Sequence, residues 1–179
     1  MRNSSLHICA LIPTYNNANT ILDVVRRTRK QLKDVIVVVD GCTDNTLDLL
    51  QALEFPITIV SYSKNKGKGY ALKQGFRKAI ELGFEYALTI DSDGQHYPED
   101  IPLLIDAIKK HPGSMIIGSR KLTSENVPGK NKFANKFSNF WFRLQTHINL
   151  PDTQTGFRIY PLNKLYGLSL LTSRYEAEL

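Results

Sequence analysis

Short aliphatic runs alternate with amphipathic helical segments along the first two thirds of this chain, and no other feature constrains its fold as strongly. Runs such as residues 35–39 are apolar at every position, so both faces of the strand that they form must be buried. Buried strands joined by helices are typical of parallel βαβ units. The alternation therefore predicts an α/β fold with a Rossmann-like, mostly parallel sheet and helices on both of its faces.

The predicted elements follow one another in regular order. Strands are expected at residues 6–14, 35–40, 57–61, 86–91 and 114–118, and helices at 20–32, 46–53, 70–82 and 98–110. Thr20 and Asp23 have the spacing of a capping box, and Asp44 is placed to cap the second helix. Later elements are an aromatic helix at 132–146, which is either a core helix or an interfacial one, a strand at 155–160 and a helix at 163–171.

The composition is that of a globular protein with anionic partners. Of its 179 residues, 42% are hydrophobic and 22% are charged, which excludes a disordered chain. The 23 basic and 17 acidic residues give a net charge of +6, which favours partners such as nucleotides or lipid phosphates. Nucleic acid is not an expected partner, because no recognised nucleic-acid-binding module is present.

The two cysteines and the longest apolar run limit the possible surroundings of the protein. Cys9 and Cys42 do not have metal-ligand spacing, and we expect reduced thiols in a cytoplasmic protein. Residues 35–39 are far too short to span a membrane. Any membrane contact is therefore expected to be peripheral, or to come from sequence outside these residues.

Two carboxylates, Asp91 and Asp93, follow the fourth predicted strand directly. Such a pair can hold Mg²⁺ or Mn²⁺ against a diphosphate, whose oxygens supply further ligands. A purely structural turn is the alternative. A calcium-binding loop is disfavoured, because Pro102 stands where the closing glutamate of that loop would be.

Polar clusters follow the other predicted strands in the same way. In a parallel sheet they would all lie along one edge, where open α/β sheets bind ligands. Together they offer an aromatic ring, acids, lysines and the amides of helix starts, which suits a nucleoside diphosphate. A solvated loop is the alternative for the lysines. The clusters are residues 13–17, 40–44, 64–69 and 91–95.

These clusters resemble the ordered motifs of the family 2 glycosyltransferases, which have the GT-A fold. The resemblance covers residues 8 to about 179, and residues 118–120 and 152–158 look most like the dolichyl- or polyprenyl-phosphate sugar transferases. One departure is Val39, which stands where the family usually has the first of two acids. The family usually continues further, so we expect residues 1–179 to form a single domain that is truncated at its C-terminus.

The resemblance implies roles for residues in every cluster. The nucleotide of the donor would contact Pro13, Thr14, Tyr15, Asn17, Asp40, Gly41, Lys68, Gly69, Asp91 and Ser92. A divalent cation, Mn²⁺ or Mg²⁺, would be held by Asp91, Asp93 and Gln95, and the acceptor would face Arg120, Gln154, Thr155, Gly156 and Arg158. The implied catalytic residues are Asp93 and Glu176.

The activity implied by the resemblance is that of an inverting, metal-dependent glycosyltransferase at the inner face of a membrane. It would move a sugar from a UDP or GDP sugar to a polyprenyl phosphate or to a glycan. For a hydroxyl acceptor, Glu176 and Glu178 are the late acids that could serve as base, whereas a lipid phosphate is already ionised. The alternatives are a non-catalytic nucleotide-binding or membrane-docking fragment and a sugar nucleotidyltransferase. The latter needs a first loop rich in glycine and basic residues, which residues 14–17 do not provide.

Overall fold

A computed structural model describes residues 6–118 and 155–165 of the chain. The strands are β1 (Ile8–Thr14), β2 (Val35–Asp40), β3 (Thr58–Tyr62), β4 (Tyr86–Thr89), β5 (Ile116–Ile117) and β6 (Arg158–Pro161). The helices are α1 (Ile21–Gln31), α2 (Thr46–Gln51), α3 (Lys68–Glu81), α4 (Ile101–Lys110) and α5 (Leu162–Leu165), and a 3₁₀ turn at Pro98–Asp100 leads into α4.

The strands form one six-stranded sheet in the order β3-β2-β1-β4-β6-β5. Its first four strands are parallel, with β1 paired to β2 on one side and to β4 on the other. Strand β6 is antiparallel to both of its neighbours, β4 and β5. The predicted mostly parallel sheet is therefore confirmed, with one reversed strand near its edge.

Helices cover both faces of the sheet, and β1 and β2 are therefore buried at every position. On one face, Ile21, Val24 and Val25 of α1 pack in a common core cluster with Ile101 and Ile108 of α4. These spacings place the apolar side chains of each helix on one stripe. None of the helices within the described ranges is long and apolar enough to cross a membrane.

Helix α3 covers the opposite face. Its residues Leu72, Phe76 and Ala79 form a second core cluster with alternate residues of β1 and β2. A side chain at Gly75 would collide with the buried Leu11, so this glycine lets the helix approach β1 closely. The predicted arrangement of helices on both faces is thus confirmed.

Some local predictions need correction. The predicted capping box of Thr20 and Asp23 does not form. The Thr20 hydroxyl donates to the backbone oxygen of Ser92 at 2.6 Å, and Asp23 pairs with Arg27. The Asp44 carboxylate does accept a hydrogen bond from the backbone N–H of Thr46, although Asn45 is the N-cap residue. Strand β4 ends at Thr89 rather than at residue 91.

Helix α3 begins two residues earlier than predicted, at Lys68. Lys68 and Gly69 therefore belong to its first turn instead of the preceding loop. Of the helix predicted at 163–171, the structure describes the start, α5. The predicted aromatic helix at 132–146 lies outside the described residues.

The loop after β2 can follow its path only because Gly41 has no side chain. The φ of Gly41, +64°, is in the left-handed region, and an added Cβ would collide with the backbone of Lys64 and Asn65. Gly83 has a similar φ of +81° but no atom lies within 4 Å of the position of its Cβ.

We predict that Gly41→Ala destabilises the protein much more than Gly83→Ala. Both substitutions incur the cost of a left-handed alanine, about 1–2 kcal/mol. Only the first must also move a neighbouring backbone, for which we expect roughly 1–3 kcal/mol more. Urea unfolding of the two variants measures the difference, and equal free energies of unfolding would contradict the packing at Gly41.

Candidate functional site

A cavity of about 810 Å³ opens at the carboxyl ends of the parallel strands. All four predicted polar clusters contribute to its walls, so the sheet does bring them together. The predicted residues that line it are Pro13, Thr14, Tyr15, Asn17, Asp40, Lys68, Asp91, Ser92 and Asp93. Asn65, Lys66, Gly67 and Tyr70 also line it; they are not among the residues to which the resemblance assigns a role, although the first three lie within the cluster at 64–69.

The loop after β1 is tied to its two neighbours by polar contacts. The side-chain oxygen of Asn16 accepts a hydrogen bond from the backbone N–H of Thr43 at 2.8 Å, which joins it to the loop after β2. The side-chain amide of Asn17 donates to the hydroxyl of Ser92 at 2.9 Å. Tyr15, which directly precedes these two anchors, is 46% exposed on the cavity wall, where its ring is available to a planar ligand group.

Asp40 holds the start of α3 in place. Its two carboxylate oxygens accept hydrogen bonds from the backbone N–H groups of Lys66, at 2.8 Å, and Gly67, at 2.9 Å. The side chain is buried, so these bonds provide partners for both carboxylate oxygens away from water. In this structure the predicted nucleoside-binding residue therefore positions the loop that precedes α3.

Asp91 lies at the centre of the polar groups. Its Oδ1 is 2.6 Å from the Nζ of Lys68, and its Oδ2 is 3.6 Å from the Nε2 of His96. Burial opposes ionisation of Asp91, but its contact with His96 and the positive charge of Lys68 outweigh burial and lower the pKa of the carboxyl to about 2. The side chain is thus an anion at neutral pH.

Gly156 and His96 confine the Asp91 side chain. A Cβ at Gly156 would collide with the carboxylate of Asp91, and the Gly156 carbonyl accepts a hydrogen bond from the Thr89 hydroxyl at 2.7 Å. The buried ring of His96 stacks on Phe157, with ring centroids 5.5 Å apart. The residues just before β6 therefore close one side of the Asp91 carboxylate.

The remaining predicted residues have different surroundings. Asp93 is exposed and accepts a hydrogen bond from the backbone N–H of Gln95 at 2.9 Å. The predicted acceptor residues Thr155, Gly156 and Arg158 line a narrow cleft that shares Pro13, Lys68 and Asp91 with the main cavity. Gly41, Gly69 and Gln95 are not among the cavity walls, and Arg120, Gln154 and Glu176 lie outside the described residues.

The donor set fits a hard divalent cation that is completed by a ligand. Within residues 6–118 and 155–165 there is no cluster of three or more histidine, cysteine or acidic side chains. Asp91 and Asp93 both line the cavity, however, and Mg²⁺ is commonly held by one or two carboxylates together with substrate phosphates. The ammonium group against Asp91 also shows that this carboxylate accommodates a cation.

Comparison with known proteins decides the family. The sequence profile of glycosyl transferase family 2 matches residues 9–166. The chain belongs to glycosyltransferase family 2.

Relatives confirm the resemblance to the polyprenyl-phosphate branch of family 2. The chain is 33% identical to the UDP-N-acetylglucosamine–dolichyl-phosphate N-acetylglucosaminyltransferase of Methanococcus voltae, over 94% of this chain and 76% of that protein. It is 31% identical to the undecaprenyl-phosphate mannosyltransferase of Micrococcus luteus, over 92% of this chain and 70% of that protein.

A solved structure confirms the GT-A fold. Glucosyl-3-phosphoglycerate synthase from Mycobacterium tuberculosis, in complex with Mn²⁺, UDP-glucose and phosphoglyceric acid, matches with a TM-score of 0.69 at 20% identity. The match covers 98% of this chain and 63% of the synthase, so this chain spans less than two thirds of the length of the synthase.

We predict that Asp91 makes stability depend on pH in acid. Its pKa is lower in the folded protein than the usual value near 3.9, so its contribution is present above about pH 4 and is lost as the pH falls towards about 2. The difference in unfolding free energy between the native protein and Asp91→Asn should shrink by about 2 kcal/mol over that range.

Chemical unfolding between pH 5 and pH 2 measures this difference. Lys68→Met should remove part of the same pH dependence, because it takes away one stabilising cation. Lys66→Met is the matched control, since the Nζ of Lys66 lies against Tyr70 rather than Asp91. Identical pH dependence in the native protein and Asp91→Asn would contradict the ionisation assigned to Asp91.

Proposed function

We propose that this chain is an inverting, metal-dependent glycosyltransferase that moves a sugar from a nucleoside diphosphate sugar to a polyprenyl phosphate. The observation that carries the proposal is the meeting of three groups at one cavity: the N-terminus of α3, the ammonium of Lys68, and the carboxylates of Asp91 and Asp93. Amides and a lysine suit the phosphates of the donor, and the carboxylates suit a cation bound to those phosphates.

The start of α3 is the proposed diphosphate site. Its N-cap residue, Gly67, has no side chain, the first turn of α3 contains no acidic residue, and Asp40 binds the backbone N–H groups of Lys66 and Gly67 that precede this turn. The N–H groups of such a turn lack partners within the helix and, with the helix dipole, favour an anion. In the proposed pose, the nucleoside lies against Tyr15 and the diphosphate extends towards Lys68.

Asp91 and Asp93 are the proposed ligands of the divalent cation, with Gln95 nearby on the same turn. When bound, the cation supplies positive charge beside the departing diphosphate. The protein adds the ammonium of Lys68, which is already on the cavity wall. Together these groups stabilise the charge that develops as the bond between the sugar and the diphosphate breaks.

We propose that the acceptor phosphate enters the main cavity on the side that borders Thr155, Gly156 and Arg158, since the cleft that these residues line is too narrow to admit a water molecule. Arg158 is buried there and donates from Nε to the carbonyl of Thr155 at 2.8 Å, and Lys68 lies on the boundary with the main cavity. These cations favour an anionic acceptor such as a lipid phosphate. An oxygen of that phosphate would attack the anomeric carbon, the bond to the diphosphate would break, and single displacement would invert the configuration.

The acceptor proposal is supported by the two relatives, whose names specify dolichyl phosphate and undecaprenyl phosphate as acceptors. A lipid acceptor would place the protein against a membrane, and we propose peripheral contact at the cytoplasmic face. The net charge of +6 favours an anionic surface of this kind.

We predict that UDP or GDP binds to this protein only weakly without Mn²⁺ and at least about tenfold more tightly with it. Asp93→Asn should reduce that gain to less than about threefold, because one oxygen ligand of the cation loses its charge. Isothermal titration with each nucleotide, with and without Mn²⁺, measures both effects.

Asp106→Asn is the matched control for this titration. Asp106 lies on α4, pairs with Lys109 and loses the same charge without facing the cavity. If the folded protein bound neither nucleotide in the presence of Mn²⁺, the proposed donor site would be wrong. If both variants changed binding equally, Asp93 would not be a ligand of the cation.

A turnover assay separates an enzyme from a nucleotide-binding module. We expect UDP or GDP sugars, incubated with Mn²⁺ and polyprenyl phosphate in detergent micelles, to give a glycosylated lipid phosphate with inverted anomeric configuration. Asp91→Asn should lower the rate by at least about a hundredfold, comparable with loss of a group that stabilises transition-state charge. Donor binding without any product would contradict the proposed transfer.

A further inference from the structure

Lys68 competes with any cation that approaches Asp91. The ammonium Nζ lies 2.6 Å from Oδ1, and the side chains of Lys68 and Asp91 are 22% and 21% exposed at the cavity wall. We infer that Lys68 couples the binding of the two ligands at the donor site, the divalent cation and the nucleotide. Its ammonium group pairs with Asp91 until a divalent cation binds that carboxylate, and then pairs with the nucleotide diphosphate instead. This inference rests on the proposed function.

The competition follows from how Asp91 is enclosed. His96 faces Oδ2, and it is held by stacking on Phe157. Gly156 closes another side, where not even a Cβ could be accommodated beside the carboxylate. A cation coming from the cavity therefore meets the carboxylate on the side where Lys68 lies, and two positive charges at that distance repel strongly when partly buried.

Lys68 has a flexible side chain on a fixed backbone. It is the first residue of α3, and the preceding backbone N–H groups of Lys66 and Gly67 are bound to Asp40. The four-carbon stem can therefore swing while the helix start stays in place. A diphosphate held at the N-terminus of α3 would lie close to the base of this stem, so the ammonium can exchange one anionic partner for another.

Positive coupling between cation and nucleotide is the consequence. The cation alone must break the Lys68–Asp91 pair, and a nucleotide alone must draw Lys68 away from the same pair. When both ligands bind, the free-energy cost of separating Lys68 from Asp91 arises once instead of twice. Each ligand therefore strengthens the binding of the other. Coupling of this kind typically amounts to about 5- to 150-fold, and it is reciprocal by thermodynamic necessity.

The test measures Mn²⁺ affinity with and without saturating UDP or GDP, using the electron paramagnetic resonance signal of free Mn²⁺. Lys68→Met should bind Mn²⁺ alone at least about fivefold more tightly than the native protein, because no ammonium competes for Asp91. The factor by which nucleotide tightens Mn²⁺ binding should fall by a similar amount. Lys68→Arg should retain most of the coupling, since it keeps a cation at this position.

Lys66→Met is the matched control. It removes the same charge from the same cavity wall, but the Nζ of Lys66 lies 3.3 Å from the Tyr70 hydroxyl and contacts the rings of Tyr62 and Tyr70. A general electrostatic effect would raise Mn²⁺ affinity in both methionine variants. The competition predicts a change of less than about twofold in Lys66→Met.

The outcomes distinguish this inference from the proposed function. If the native protein shows Mn²⁺-dependent nucleotide binding but Lys68→Met leaves Mn²⁺ affinity unchanged or lower, the coupling is wrong and the donor site remains. If the two methionine variants respond equally, the coupling is also wrong. If no nucleotide binds the native protein, the proposed function itself fails. Circular dichroism and thermal unfolding confirm that each variant is folded.

Discussion

The complete burial of β1 between two parallel neighbours is the constraint on which the rest of the structure depends. All seven residues of β1 are buried, and the strand pairs with β2 on one side and with β4 on the other. Because these strands run in one direction, each must end at the same edge of the sheet. The polar loops that follow them therefore meet there, and the core that stabilises the sheet also determines where the site lies.

Direct polar contacts then convert this meeting of loops into a defined geometry. Asn16 joins the first loop to the second through Thr43, Asp40 joins the second to the start of α3, and Lys68 joins α3 to Asp91. Each contact links residues that are far apart in the chain, so no loop takes its conformation from its own sequence alone. Lys68 and Asp91 are also residues to which we assign donor binding, whereas Asp40 positions the helix start beside them.

The sequence predicts this fold well because its strands are continuous apolar runs, whose burial leaves few alternatives. It predicts less where a side chain has a distant partner. The spacing of Thr20 and Asp23 cannot show that the Thr20 hydroxyl bonds to Ser92, which lies 72 residues further along. Similarly, the pattern at 155–160 indicates a strand but not its reversed direction, which depends on the path of the chain before it. The clusters were predicted to converge, whereas the position of Lys68 within α3, and hence its pairing with Asp91, required the structure.

Strand β4 has a consequence for the order in which the site assembles during folding. Its pairing with β1 joins residues such as Ala10 and Leu88, 78 positions apart, and its pairing with β6 joins Thr89 and Arg158, 69 positions apart, while each contact among β1, β2 and β3 spans a shorter stretch of chain. Closing a longer loop has a larger entropic cost, so pairing between distant strands is slow. We therefore expect the loops after β1 and β2 to meet first, and the carboxylate of Asp91 to be the late-arriving wall of the cavity.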